Sequence, residues 1–253
     1  MPGKPLGRHV LHDPRSLAYR VEADGTAKSV RWPRVVPVFD QGDIGSCTGN
    51  AAAGTLGTQP IYDTLPAGVE LNEDEAVTLY SAATHLDAVR GIYPPDDTGS
   101  TGLAVAKACH KSGLISGYRH ITSLASAKTA IQAGPFITGT NWLTGMDEPD
   151  SDGRVHAQGS IRGGHEYEVI GYDAEADVWE FVNSWGDSFG KAGHFFMSSA
   201  DYDALLHADG DATVLVPLTA PAPTPDPAPP ADMVAQVVAK LNEILAWLRG
   251  LQG

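Results

Sequence analysis

Twelve residues near the C-terminus, TAPAPTPDPAPP at 219–230, are half proline. Proline has no amide hydrogen and a fixed φ, so such a run enters neither a helix interior nor a central strand and extends at about 3 Å per residue. Any packed body must be complete before it. The 253-residue chain therefore divides into a basic N-terminal arm over 1–34, a body over 35–218, a proline-rich linker over 219–231 and a terminal segment over 232–253. In that last segment Asp232 can cap a helix carrying Val234, Val237, Leu241, Ile244, Leu248 and Leu251 in steps of three and four, a seam widened by Val238 and Leu245. The pattern predicts an amphipathic helix for self-association or partner docking through residues 232–251, the alternative being a return onto its own body.

The body is long enough to bury a core without disulfide staples. Its first half reads as helical. Residues 46–58 are rich in Ala and Gly and predict a tightly packed buried helix, followed by helices over 72–89, 101–112 and 126–132. From Gly134 the texture changes to short strands at 136–141, 166–172, 178–183 and 193–197, separated by Gly, Asp and Ser turns. Helices first and strands later predict an α+β protein of two lobes, not a doubly wound sheet.

Composition excludes several classes. Net charge is -14, with 17 basic against 31 acidic residues, so no nucleic-acid partner is expected, because backbone binders work through clustered Lys and Arg. No apolar run reaches the roughly 20 residues of a membrane span. The charge is uneven: residues 1–40 carry +3 and the remainder -17, so a basic arm can lie on an acidic body or remain solvated. The N-terminus lacks the apolar stretch of a secretory signal, which gives no localisation beyond an expectation of a cytoplasmic or phage-associated chain.

The two cysteines, Cys47 and Cys109, are too few for a disulfide framework or a cysteine-rich metal site. Cys47 ends QGDIGSC, where a glycine-bearing turn delivers it to the start of the Ala/Gly-rich helix. A helix N-terminus favours a negative group, so a thiol there is expected to ionise more easily and become nucleophilic. His165 follows Gly163-Gly164, read as a flexible turn, and opens a strand; Asn183 ends another, where its carboxamide oxygen can accept an imidazole N–H and set the tautomer. A thiol, a base and an orienting amide are the parts of an activated cysteine nucleophile. Cys109 has apolar neighbours at helical spacing and reads as a structural thiol, with His110 on the surface. Asp96, Asp97, Glu148, Asp150 and Asp152 lack the ligand spacing of a calcium loop and read as solvated.

Three segments, QGDIGSC, GGHEYEVIGYD and NSWGDSFGKAG, resemble the motifs of the papain-like cysteine peptidases. They stand in family order, with His165 118 residues after Cys47 and Asn183 18 after His165. LNEDEAVTLY, TGSTGLAVAKACHKSGLI and GPF add to the resemblance, which covers about residues 35–200. It implies a papain-like fold with a helical N-terminal lobe, a β-rich C-terminal lobe and an interlobe cleft for an extended peptide. It also implies Cys47 as nucleophile, His165 as general base and acid, Asn183 as the group orienting His165, and Trp185 as a shield over that hydrogen bond. Gln41 would be an oxyanion donor, and Gly99, Ser100 and Gly164 substrate contacts. No metal or organic cofactor is implied.

The sequence departs from the family at Ile44, where a disulfide-forming cysteine is usual, at Thr48, which replaces a Trp, and at Phe189, which replaces a second Trp. Cysteine loss suits a reducing compartment, and the organisation looks prokaryotic or phage-like. Only 46 residues precede Cys47, too few for the long inhibitory pro-segment of the secreted members. Restraint of such an enzyme would fall to the basic arm or the C-terminal appendage. Two further readings remain: a cell-wall peptide or isopeptide hydrolase with the same triad, and a binding or assembly protein acting through its C-terminal helix.

Overall fold

The computed structural model describes residues 3–25 and 27–219. The linker beyond Thr219, the helix expected over 232–253 and its docking face at 232–251 lie outside these described residues.

Three helices build one lobe. Helix α1, Cys47–Leu56, has every residue buried, which its small side chains make possible. A Cβ added to Gly49 would collide with the Ala76 carbonyl and come within 2.8 Å of Tyr80, so this glycine sets how closely α1 approaches helix α2, Glu73–Thr84. Asn72 caps α2 by accepting from the Glu75 N–H, and Glu73, Asp74 and Glu75 occupy its positive end. Helix α3, Gly102–Lys111, is capped by Thr101. Their facing sides form a core around Leu56, Ile61, Leu79, Val105 and Cys109, closed from the sheet by Ile137 and Leu215.

Helix α2 stops five residues short of the expectation for 72–89. No glycine or proline ends it. Thr84 donates its hydroxyl to the Ser81 carbonyl and accepts the Tyr93 N–H, pulling the following segment back across the helix end.

The second lobe is an antiparallel sheet. Strands β1 (Val30–Arg31), β2 (Gly117–Ile121), β3 (Phe136–Leu143), β4 (Ile161–Asp173), β5 (Val178–Val182), β6 (His194–Ser198) and β7 (Asp211–Val216) run in the order β2-β7-β3-β4-β5-β6, with β1 paired to β4. Helices α4, Leu124–Ile131, and α5, Ser199–His207, cover it. The core there is aromatic, with Phe136, Trp142, Tyr167, Trp179, Phe181, Trp185, Phe189, Phe195 and Tyr202 in one cluster. The fold is α+β and two-lobed, as expected, although β1, β2, β7 and α5 were not anticipated.

Strand β4 begins at Ile161, so Gly163 and Gly164 are not the flexible turn that was read from them. They pair with Trp142 and Asn141 of β3. Their missing side chains make room for the N-terminal arm: a Cβ on Gly163 would lie 2.9 Å from Leu6, and one on Gly164 would collide with the Arg8 carbonyl. Glycine here marks a close approach of another chain segment.

That arm is bound along the body. Lys4 pairs with Asp40 at 2.7 Å, Arg8 with Asp211 at 2.8 Å and Arg31 with Glu180 at 2.7 Å, and Arg34 pairs with the buried Glu168. Trp32 donates its indole N–H to the Ile131 carbonyl at 2.8 Å.

Because α1 and α2 touch backbone to side chain at Gly49, Gly49→Ala is expected to overpack this contact and lower unfolding free energy by about 1–3 kcal/mol. Urea unfolding followed by tryptophan fluorescence measures it; an unchanged midpoint would contradict the proposed close approach.

Candidate active site

The Cys47 loop is tied down on both sides. Gln41 N–H donates to the Ser184 carbonyl at 2.9 Å and Gly186 N–H to the Phe39 carbonyl at 3.0 Å, joining this loop to the one carrying Asn183. On the other side the Asp97 carboxylate accepts from the Gly45 N–H at 2.8 Å and from the Tyr80 hydroxyl at 2.7 Å. Asp97, read as part of a solvated loop, is exposed at its edge yet holds the turn leading into Cys47.

Cys47 is the first residue of α1 and is fully buried. Backbone N–H groups of Glu166, Gly7 and Thr48 reach its thiol. The sulfur thus lies against the backbone of the residue following His165. Burial nevertheless pushes the thiol up to about 12, outweighing the pull of those donors. The expectation of an easily ionised thiol is therefore corrected for this state: the helix end is present, but desolvation dominates.

His165 sits in β4 opposite Thr140. Its Nε2–H donates to Asn183 Oδ1 at 2.8 Å, and that oxygen also accepts the Ser184 N–H at 2.8 Å. Trp185 stacks on the imidazole with centroids 4.8 Å apart and planes 27° from parallel, while Trp142 meets it edge-on at 5.1 Å. Burial moves the imidazole down to about 4; the Asn183 hydrogen bond opposes this and the Arg162 charge adds to it. Nδ1 has no hydrogen-bond partner among the described residues, so no thiol–imidazole hydrogen bond is formed. Both groups are neutral in this arrangement.

Gln41 is buried, with its amide oxygen accepting from Ser184 Oγ at 2.7 Å. Its Nε2 donates to the Ile44 carbonyl at 2.8 Å and to the arm's Pro5 carbonyl at 3.4 Å. The arm also engages the residues expected to contact substrate. Ser100 N–H donates to the Gly7 carbonyl at 2.7 Å, His9 N–H to the Ser100 carbonyl at 2.8 Å, and Arg8 N–H to the Gly164 carbonyl at 3.0 Å. Gly99, at φ +72°, backs directly onto Gly7. Residues 5–9 thus run between Gly99-Ser100 and Gly164, above the thiol.

Sequence reading did not single out Trp142, Ser184, Glu166 or Asp211. Trp142 packs against Trp185 at 4.8 Å and donates its N–H to Asp147; nothing in its local sequence marks it. Glu166 and Glu168 did carry a signal, two carboxylates on one face of a strand, both only 1% exposed. Cys109 is buried in the helical core, where burial pushes its thiol to about 12. Among the described residues no group of three or more His, Cys, Asp or Glu could hold a metal ion, and no helix is long and apolar enough to cross a membrane.

The model of the papain family cysteine proteases matches residues 108–209, which include His165 and Asn183. Over that segment the chain matches the papain family of cysteine proteases. It is 24% identical to cathepsin B-like CP3 of Giardia intestinalis over 234 residues, covering 77% of this chain and 76% of that protein. In fold it is similar to xylellain, a cysteine protease from Xylella fastidiosa, with a TM-score of 0.69 at 18% identity over 85% of this chain and 97% of the other. It is also similar to digestive procathepsin L 3 from the larval midgut of Tenebrio molitor, with a TM-score of 0.57 at 18% identity, covering 84% and 76%.

The buried imidazole has a consequence for stability. It stays neutral in the fold down to about pH 4, whereas in the unfolded chain it takes up a proton near 6.5. The unfolded state binds more protons across that window, so the fold loses on the order of 3 kcal/mol as pH falls from 6.5 to 4. Denaturant unfolding at several pH values should show a shallower decline for His165→Gln than for the parent; equal declines would contradict the buried neutral imidazole.

Proposed function

We propose that this cysteine peptidase cleaves peptide bonds through a thioester on Cys47, with His165 as proton carrier and Asn183 as its positioning residue. The observation that supports it most is the His165 ring clamped by Asn183 and Trp185 with Nδ1 unoccupied, while the Cys47 thiol lies at the Glu166 N–H. His165 Nδ1 takes the thiol proton as sulfur attacks the substrate carbonyl carbon. The resulting oxyanion accepts from Gln41 Nε2–H and the Cys47 N–H. Collapse expels the amine, which receives the proton from the imidazolium, and water then attacks the thioester with His165 as base.

Gly99, Ser100 and Gly164 are proposed to pair with the backbone of an extended substrate. Because residues 5–9 already use these groups and the Gln41 donor, substrate gains entry only when the arm withdraws. The peptidase body is proposed to occupy 35–218. On its heptad pattern, the 232–251 segment is proposed to dock a partner or a second copy. A cell-wall peptide or isopeptide substrate and a purely binding role are not favoured.

A peptide-library digest read by mass spectrometry tests the assignment. Cys47→Ala should abolish both cleavage and labelling by an epoxide thiol probe, and Gln41→Ala should lower kcat by about 10²–10³-fold. Labelling at Cys109 would overturn the choice of nucleophile.

A further inference from the structure

Among the small residues of α1 stands one carboxamide, Asn50, three positions after Cys47. It is 3% exposed, and its Nδ2 donates to the Ser46 carbonyl and to Ser46 Oγ, both at 3.0 Å. The first of these bonds settles which end of the amide is which, because a carbonyl oxygen only accepts. Asn50 Oδ1 is therefore the other end, and it is buried with no hydrogen-bond partner among the described residues. Asn183 carries the complementary group. Its Oδ1 is taken by His165 and by the Ser184 N–H, while its Nδ2 is a buried donor without a partner among the described residues.

Asn50 and Asn183 line one small cavity between the helical lobe and the sheet, walled also by Phe39, Tyr167, Val182 and Ser184. The space inside, about 10 Å³ for the centre of a water molecule, is close to the least that one bound water needs. Its walls are buried, so a polar atom there has to be satisfied from within. An amide donor or acceptor left unpaired in such a place costs the full desolvation of that group. One water satisfies both at once, since it can donate to Asn50 Oδ1 and accept from Asn183 Nδ2–H.

The end of Asn183 that meets His165 decides the imidazole tautomer. With Oδ1 accepting, Nε2 keeps the ring proton and Nδ1 can receive another. An amide turned end for end would present Nδ2–H to the ring, claim the Nε2 lone pair and move the ring proton to Nδ1, which could then not take the thiol proton. The Ser184 N–H holds the amide from its oxygen end, and an acceptor for Nδ2 would hold it from the nitrogen end. We propose that Asn50 is a positioning residue for Asn183, linked to it by one water in this cavity, and that the link keeps His165 in the Nε2–H tautomer. The inference rests on the peptidase reading above and adds a residue to its machinery.

The test uses the full chain. Asn50→Leu, close to asparagine in size, removes the acceptor without enlarging the cavity, and should lower kcat about tenfold while KM stays within about twofold of the parent. In an Asn183→Ala background the same substitution should change kcat by less than about twofold, because the group it positions is gone. Nitrogen NMR of isotope-labelled histidine supplies a readout that needs no turnover, with the His165 signal identified by its loss in His165→Gln. The parent should be protonated at Nε2 alone, and Asn50→Leu should populate the Nδ1–H form. Asn50→Ala, which keeps the backbone bond to the Ser46 carbonyl, serves if the leucine variant does not fold and should move kcat and the tautomer in the same direction.

A loss of kcat that persists in the Asn183→Ala background, or a His165 tautomer unchanged in both Asn50 variants, would overturn the positioning role and leave the peptidase reading intact. A crystal structure of the parent with no water between Asn50 Oδ1 and Asn183 Nδ2 would overturn the link as well. Failure to cleave any peptide, with no probe labelling that depends on Cys47, would instead overturn the reading on which it rests, while the tautomer measurement still decides the link. Circular dichroism of each variant separates a lost contact from a lost fold.

Discussion

The active site depends on a short backbone seam. Cys47 belongs to the helical lobe and His165 to the sheet, and nothing local to either sets their separation. The Gln41–Ser184 and Gly186–Phe39 hydrogen bonds, with the Ser184 hydroxyl on the Gln41 carboxamide, fasten the loop before Cys47 to the loop holding Asn183. Each bond is worth only about 1 kcal/mol net, but Phe39, Gln41 and Ser184 are buried, so breaking the seam would leave polar groups there without water. The same seam holds Trp185 on the imidazole and Gln41 beside the thiol turn.

Burial then decides the protonation states. With residues 5–9 over the cleft, the thiol and the imidazole are each held neutral by burial, the thiol raised and the imidazole lowered. The arm bonds Ser100 and Gly164 through its backbone and supplies a carbonyl to the Gln41 side chain. Its basic residues meet acidic partners on the body at Asp40, Glu180, Glu168 and Asp211. The uneven charge of the chain thus acquires a location.

Much of the framework was legible because it follows from local chemistry. The small residues of 46–58 could only serve a close helix contact, the caps at Asn72 and Thr101 are short-range, and the strands from 136 onward are short runs set off by Gly, Asp and Ser turns. The misses share a cause in contacts distant along the chain. Helix α2 ends where Tyr93 reaches back to Thr84, and Gly163-Gly164 are strand residues because the arm crosses them. Trp142 becomes part of the imidazole cage only through the pairing of β3 with β4.

The sequence by itself determined which chemistry is proposed, because a thiol, an imidazole and two carboxamides stand in a recognisable order. It also determined the class of fold, through the passage from helical to strand patterning. Tertiary structure decided where those groups meet, how far burial moves their ionisation and what lies in the cleft. Desolvation and ion pairing depend on which distant segments share a volume, and Arg8, Glu166 and Asp211 enter one pocket only after the chain has folded over itself.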